Sequence, residues 1–201
     1  EIGGLVGGDD EAARAADAGL PPPAPRHVIR IPDIRQAFRW VLAFHPDGRL
    51  FMVNGDGLLL CWDLDAPDPS ATEQWELIHS IRYLLPDLAI SPDGKRLAVA
   101  RHGWDIKKDG QSQGGNQVLL FELGVKTDWP PKPVAQLAAY FLDFTQVAFS
   151  PDNRWLAAGS CGSPPCLWDL QAADIAASIR RPPVLASSIT GVSFSPSSRE
   201  L

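Results

Sequence analysis

The sequence is short of several things, and each shortage excludes a class of protein. Three cysteines (Cys61, Cys161, Cys166) in 201 residues are too few, and odd in number, for a disulfide framework. A reducing compartment follows, and we expect a cytoplasmic protein. Cys161 and Cys166 flank "GSPP" and could meet across a hairpin if their Cα atoms came within about 7 Å. Two free thiols are the preferred reading. Basic residues are also in deficit, 18 against 24 acidic, giving a net charge of −6. No general positive field is available for nucleic acid. No run approaches the roughly 18 consecutive apolar residues that a bilayer crossing needs, so no membrane partner is expected.

Catalytic signatures are equally scarce. "GGLVGG" lacks the spacing of a dinucleotide loop, and "DGQSQGGN" has no Gly-Lys-Ser/Thr. "GSCGS" is not a nucleophile elbow. The four histidines (His27, His45, His79, His102) are scattered, with no i, i+4 pair and no cysteines at zinc spacing. "DLDAPDPS" (63–70) offers three carboxylates but neither the glycine turn nor the bidentate glutamate of a calcium loop. We therefore expect no enzyme activity, no cofactor and no metal.

What the sequence does have is a phrase, written four times. "AFHPDGRLFMV" (43–53), "AISPDGKRLAVA" (89–100), "AFSPDNRWLAA" (148–158) and "SFSPSSREL" (193–201) each place a proline turn between two short apolar runs. The prolines Pro46, Pro92, Pro151 and Pro196 are separated by 92−46 = 46, 151−92 = 59 and 196−151 = 45 residues. A second landmark, "LLLCWDL" (58–64), "VLLFELG" (118–124) and "PCLWDL" (165–170), follows each of the first three turns. Its aromatic lies 62−46 = 16, 121−92 = 29 and 168−151 = 17 residues after the proline. The additional length of the second unit therefore sits in "RHGWDIKKDGQSQGGN" (101–116), an insertion into a loop.

The turn chemistry is legible residue by residue. Pro46, Pro92 and Pro151 preset φ at the second turn position, and Asp47, Asp93 and Asp152 suit the third. Gly48, Gly94 or Asn153 then takes positive φ, producing a hairpin with a bulge. "NGDG" (54–57) makes a second tight turn. Short β-rich runs bounded by Gly, Pro, Asn and Asp are strands. We place them at 38–44, 49–53, 58–63 and 75–80; at 86–90, 95–101, 117–122 and 133–139; and at 145–149, 154–159, 165–169 and 176–181. A fourth unit opens with a strand at 190–194. Four strands recurring at a period of about 40–45 residues form a propeller blade.

The closing dipeptides, Trp62–Asp63 and Trp168–Asp169, with Phe121 in a degenerate "FELG", make the chain resemble the WD-repeat β-propeller family. The "FHPDG", "ISPDG" and "FSPDN" hairpins match as well, over about residues 38–201. Asp56, six residues before Trp62, matches the turn aspartate of that family, and Gly162 stands there in the third unit. The family's Gly-His pair is missing, and His79 is badly placed for it. The "SPDGKRLA" wording is also similar to Tol-type periplasmic propellers, with the same fold implied. The resemblance implies Trp62 and Trp168 packed between blades, whereas Trp40 and Trp155 are left open between core and surface. His45, standing where Ser91 and Ser150 stand, is read as structural.

A ring needs typically four to eight blades. The expectation is therefore all-β: an incomplete propeller of four-stranded antiparallel blades (38–80, 86–139, 145–181, and a start at 190–201). The remaining blades would come from a longer parent chain, and apolar blade faces would be uncovered at both ends. Residues 1–26, rich in Gly, Ala and Pro, read as a flexible linker with a marginal helix at 10–18. "HVIRI" (27–31) opens the 27–201 propeller region as a stray strand.

For function, the inner strands "VLAF", "LAI", "VAF" and "VSF" are apolar and small, which favours a protein-interaction scaffold of unknown protein partner. The alternatives are a sensor propeller attached to a signalling enzyme, or an enzymatic propeller whose site lies outside this chain. The candidate partner-binding loop is the insertion: His102, Trp104, Asp105, Lys107 and Lys108 place an aromatic beside cations on a connection between strands. "KTDWPPKP" (126–133) is a lesser candidate, read chiefly as a connector between blades.

Overall fold

A computed structural model describes residues 40–54, 58–67, 73–76, 87–101, 104–106, 112–114, 117–124, 133–138, 144–160, 164–183 and 191–197. The chain divides into Glu1–Arg30 and Ile31–Leu201, and every described residue belongs to the second unit. The helix expected at 10–18, the strand at 27–31, and Asp56, His79 and Gly162 lie outside the described residues.

Three antiparallel sheets follow one another along the chain. The first joins β1 (Trp40–Phe44), β2 (Arg49–Asn54), β3 (Leu58–Asp63) and β4 (Glu73–Glu76) in that order. The second is built from β5 (Asp87–Ile90), β6 (Arg96–Arg101), β9 (Gln117–Glu122) and β10 (Pro133–Ala138), again in simple succession. Between β6 and β9, the insertion carries its own two-stranded ribbon, β7 (Trp104–Ile106) with β8 (Ser112–Gly114). The third sheet has β11 (Phe144–Phe149), β12 (Trp155–Ser160) and β13 (Cys166–Asp169).

The meander is what the turn sequences dictate. Each hairpin is too short for a crossover, so consecutive strands must pair antiparallel. Gly48 (φ 87°), Gly94 (φ 71°) and Asn153 (φ 60°) all sit in the left-handed region, as the turns require. The register makes each landmark aromatic a cross-strand partner of the same leucine: Leu50↔Trp62, Leu97↔Phe121, Leu156↔Trp168.

Side-chain alternation then assigns each face of a sheet to a neighbour. Val41, Ala43, Phe51, Val53, Leu59 and Cys61 of the first sheet pack on Leu88, Leu97, Val99, Leu119 and Phe121 of the second. The opposite face of the second sheet, with Ala98, Ala100, Val118, Leu120 and Leu137, packs on Val147, Phe149, Leu156, Cys166 and Trp168 of the third. Phe121 and Trp168 thus face the preceding sheet, and Trp168 is fully buried. On the far face of the first sheet, Trp62, Leu60 and Met52 are buried, whereas Leu42 and Phe44 remain 54% and 53% exposed.

Face-to-face stacking of successive antiparallel meanders, two of four strands and the third of three rather than the expected four, with β1, β5 and β11 innermost, is the architecture of an incomplete β-propeller. Hydrogen bonds tie the inner strands together. The buried Asp87 on β5 accepts the Val147 N–H on β11 (2.7 Å), and Gln146 Oε1 accepts the Val192 N–H (2.8 Å). The Val147 donor lies on β11, whereas Val192 lies in a segment with no strand assigned.

Three expectations need correction. The strand at 176–181 is instead a short 3-10 turn, Ala176–Ser178, followed by one bridge between Leu167 and Arg180. "QAADIAAS" has no β-branched alternation. Asp174 Oδ1 accepts the Ala177 N–H, and the Ser178 hydroxyl bonds the Ile175 carbonyl and accepts the Asp169 N–H. Pro182 and Pro183 then remove two donors that a ladder would need. The strand at 190–194 is not formed over 191–194, and residue 190 lies outside the described residues. The outer strand of the first sheet falls at 73–76 rather than 75–80.

Candidate functional site

The three first hairpins turn at the same end of the fold and are bonded to one another. In the second unit, the Ser91 hydroxyl donates to Asp93 Oδ1 (2.7 Å) and its oxygen accepts the Arg96 N–H (2.9 Å). Asp93 Oδ1 also accepts the Lys95 N–H (3.1 Å). The third unit repeats this with Ser150, Asp152, Arg154 and Trp155 at 2.5, 3.0 and 2.8 Å. Burial would raise the Asp93 carboxyl, but the Ser91 hydroxyl and the Lys95 N–H outweigh it and hold the group below its ordinary value. The Ser150 hydroxyl, then the Arg154 N–H, lower Asp152 in the same way.

The first unit solves the turn differently. Phe44 pairs with Leu50, whereas Ile90 pairs with Leu97 and Phe149 with Leu156, so this turn is one residue shorter. Arg49 occupies the register of Arg96 and Trp155, and the counterpart of Lys95 and Arg154 is missing. Arg49 is buried and its guanidinium turns back onto Asp47 (Nε–Oδ2 2.9 Å). His45, in the place of Ser91, sets Nδ1 against the Asp47 carboxylate and donates from Nε2 to the Gly94 carbonyl of the second unit (2.6 Å). Its structural role is as expected.

From the second unit to the third, the link runs the other way. Asn153 Oδ1 accepts the Asp93 N–H (3.0 Å). A row of turns is therefore stapled across three sheets, 45 to 94 and 93 to 153. Beside the second staple lies a cleft of about 550 Å3 between the second and third sheets, lined by Lys95, Arg96, Glu122, Asn153 and Gln171 among others.

The closing dipeptides are structural in the positions described. Asp169 takes the Arg154 guanidinium (Nη2–Oδ2 2.9 Å) and the Gln171 N–H (3.0 Å). That pairing with Arg154 leads the causes that lower its carboxyl. Asp63 holds the Asp65 N–H (3.2 Å). Trp155 is half-buried with the guanidiniums of Arg154 and Arg180 at 5.0 and 4.9 Å from its ring, and Trp40 is half-buried too. Cys61 and Cys166 are buried, and burial pushes the Cys166 thiol up. Cys161 lies outside the described residues.

Of the candidate partner-binding loop, Trp104 and Asp105 lie on β7, where the backbone alone is described. His102, Lys107 and Lys108 lie outside the described residues, as does most of "KTDWPPKP". No group of three or more His, Cys, Asp or Glu side chains that would hold a metal occurs among the described residues. Among them, too, no helix is long and apolar enough to cross a membrane.

Sequence reasoning missed both the His45–Gly94 staple and the Asp87 and Gln146 clamps. A signal for the clamps was present: Asp87 and Gln146 occupy one aligned position, three residues before the end of an otherwise apolar inner strand.

The stacked meanders define the class as a β-propeller type, and comparison with known proteins agrees. The WD domain, G-beta repeat family matches residues 39–63 and 132–163. The first segment covers β1 to β3, and the second runs from β10 into β12. Both segments are similar to WD repeats. No curated protein matches it. Among solved structures, one described as a "putative 6-phosphogluconolactonase" from Bacteroides uniformis ATCC 8492 is similar in fold, with a TM-score of 0.54 at 15% identity. The match covers 79% of this chain and 45% of that one, so the chain spans less than half the neighbour's length.

Proposed function

We propose that these WD-type blades form a non-catalytic interaction module that presents a preset surface to partner proteins. One observation carries this reading: the turns of three successive sheets are bonded into one row, His45 to Gly94 and Asp93 to Asn153. A surface held in place before binding loses little conformational freedom on binding. The acids of that row point the same way. Asp93 and Asp152 accept hydroxyl and backbone donors and are held below the ordinary carboxylate range. General acid–base catalysis at neutral pH wants the opposite displacement. The insertion at 101–116, with Trp104 among its residues, is a second contact surface of the same module.

Affinity capture with the full chain, followed by calorimetry with the recombinant captured protein, tests the reading. A saturable protein complex that weakens in a variant lacking 102–116, or in charge variants of the turn row, supports it. Failure of every captured protein to bind directly overturns it. So does turnover of a small substrate, for example a sugar lactone, by the chain alone.

A further inference from the structure

We propose that the cleft between the second and third sheets binds a short extended peptide of a partner protein, one carrying a basic and an acidic side chain close together. The inference rests on the non-catalytic reading and adds the place and chemistry of contact.

The cleft exists because two equivalent seams are closed differently. In the seam between the first and second sheets, the His45 imidazole reaches across to Gly94, and a Cβ on that glycine would lie 2.8 Å from His45 Nε2. The buried Arg49 lies in the same turn, bonded to Asp47. In the next seam, His45 is replaced by Ser91, whose hydroxyl turns inward to Asp93, and Gly94 by Asn153. A small side chain stands where a ring stood, and at this end of the seam the gap is spanned by the Asp93–Asn153 bond and a long Arg96–Leu170 contact. The space left is about 550 Å3, within the range of about 300–1,000 Å3 typical of ligand clefts.

The groups facing this space are unevenly engaged. Asp93 and Asp152 serve their own turns. Lys95 has 80% of its side chain exposed, and its ammonium comes only to 4.0 Å from Asp93. Arg96 makes one long contact, 3.4 Å to the Leu170 carbonyl. Glu122 is exposed and directly opposite Arg96 in the β6–β9 ladder. Facing Arg and Glu on neighbouring strands ordinarily pair, yet among the described residues these two form no ion pair, and both border the cleft. Asn153, Gln171, Leu123 and Gly124 complete the lining.

A ligand therefore needs a carboxylate for Lys95 and Arg96, a cation for Glu122, and amides for Asn153 and Gln171. A polypeptide supplies all three. A simple anion does not, because Asp93, Glu122 and Asp152 outnumber the two cations around the space.

The test uses the full chain against a displayed random-peptide library, then calorimetry with an enriched synthetic peptide. Enrichment of peptides with adjacent basic and acidic residues is expected. Affinity should fall about tenfold or more in Lys95→Glu and in Glu122→Lys. The double variant should recover binding to a peptide with the two charges exchanged. Both positions are exposed, so unfolding curves that superimpose on the wild type certify the fold. No enriched peptide, or peptides that bind wild type and variants alike, overturns the cleft. Peptides lost only on deletion of 102–116 also overturn it, while leaving the interaction module standing. Substrate turnover would remove the module itself.

Discussion

The Asp87 carboxylate accepts the Val147 N–H at 2.7 Å, joining the innermost strands of two successive sheets. Gln146 likewise accepts the N–H of Val192, which lies on no strand, one unit later (2.8 Å). Both acceptors sit one position before the residue that is clamped in the next unit. In the first unit that position is Val41, which can accept nothing.

Asp87→Ala should therefore cost about 1–3 kcal/mol, the usual penalty for leaving a buried polar group unsatisfied. Asp87→Asn keeps an acceptor oxygen and should cost less. Denaturant unfolding of the two variants checks the order. Equal losses would show that the carboxylate's charge matters more than its reach to Val147.

Gly94→Ala meets two obstacles at once, a φ of 71° and a Cβ only 2.8 Å from His45 Nε2. A loss of about 1 kcal/mol or more is expected from the backbone alone. In a His45→Ser background the contact disappears and the backbone strain stays. The second substitution should therefore recover only part of the midpoint shift.

Trp62 is buried, and among the described residues its indole N–H has no acceptor. The equivalent position in the second unit is Phe121, equally buried. Trp62→Phe removes the unsatisfied donor along with some packing. The net cost should stay below about 1.5 kcal/mol, against about 3–5 kcal/mol for Trp168→Ala. Thermal and denaturant unfolding separate the two.

Acid should attack the turns first. Asp47, Asp93 and Asp152 all have folded values held below the ordinary 3.8. A depressed folded value contributes stability that is fully present above the unfolded value, and it is lost as pH falls through the folded one. Stability should thus be flat at neutral pH and fall below about pH 4. Ser150→Ala removes the leading cause at Asp152 and should move the acid midpoint upward. An unmoved midpoint would show that the hydroxyl does not hold the carboxylate.

The repeat made much of this fold legible. Proline, aspartate and glycine fix a turn locally, so β1 to β3, β5, β6, β9 and β11 to β13 fall within a residue or two of their expected places. Of the outermost strands, β10 (Pro133–Ala138) also falls within a residue of its expected place, and the other two were less legible. Glu73–Glu76 begins two residues before its expected start, and 176–181 became a 3-10 turn once Asp174 and Ser178 offered local hydrogen bonds. The staples were hidden for another reason. They join residues 49 and 60 positions apart, and local sequence grammar carries no distance between turns.

The one-residue-shorter turn of the first unit breaks a symmetry that the repeated wording implies. Lys95 and Arg154 project from the second and third turns, whereas the first has no such cation and folds Arg49 inward. Anything laid along the row meets a different charge at each step. A shift along the row by one blade therefore never brings the same charges into register.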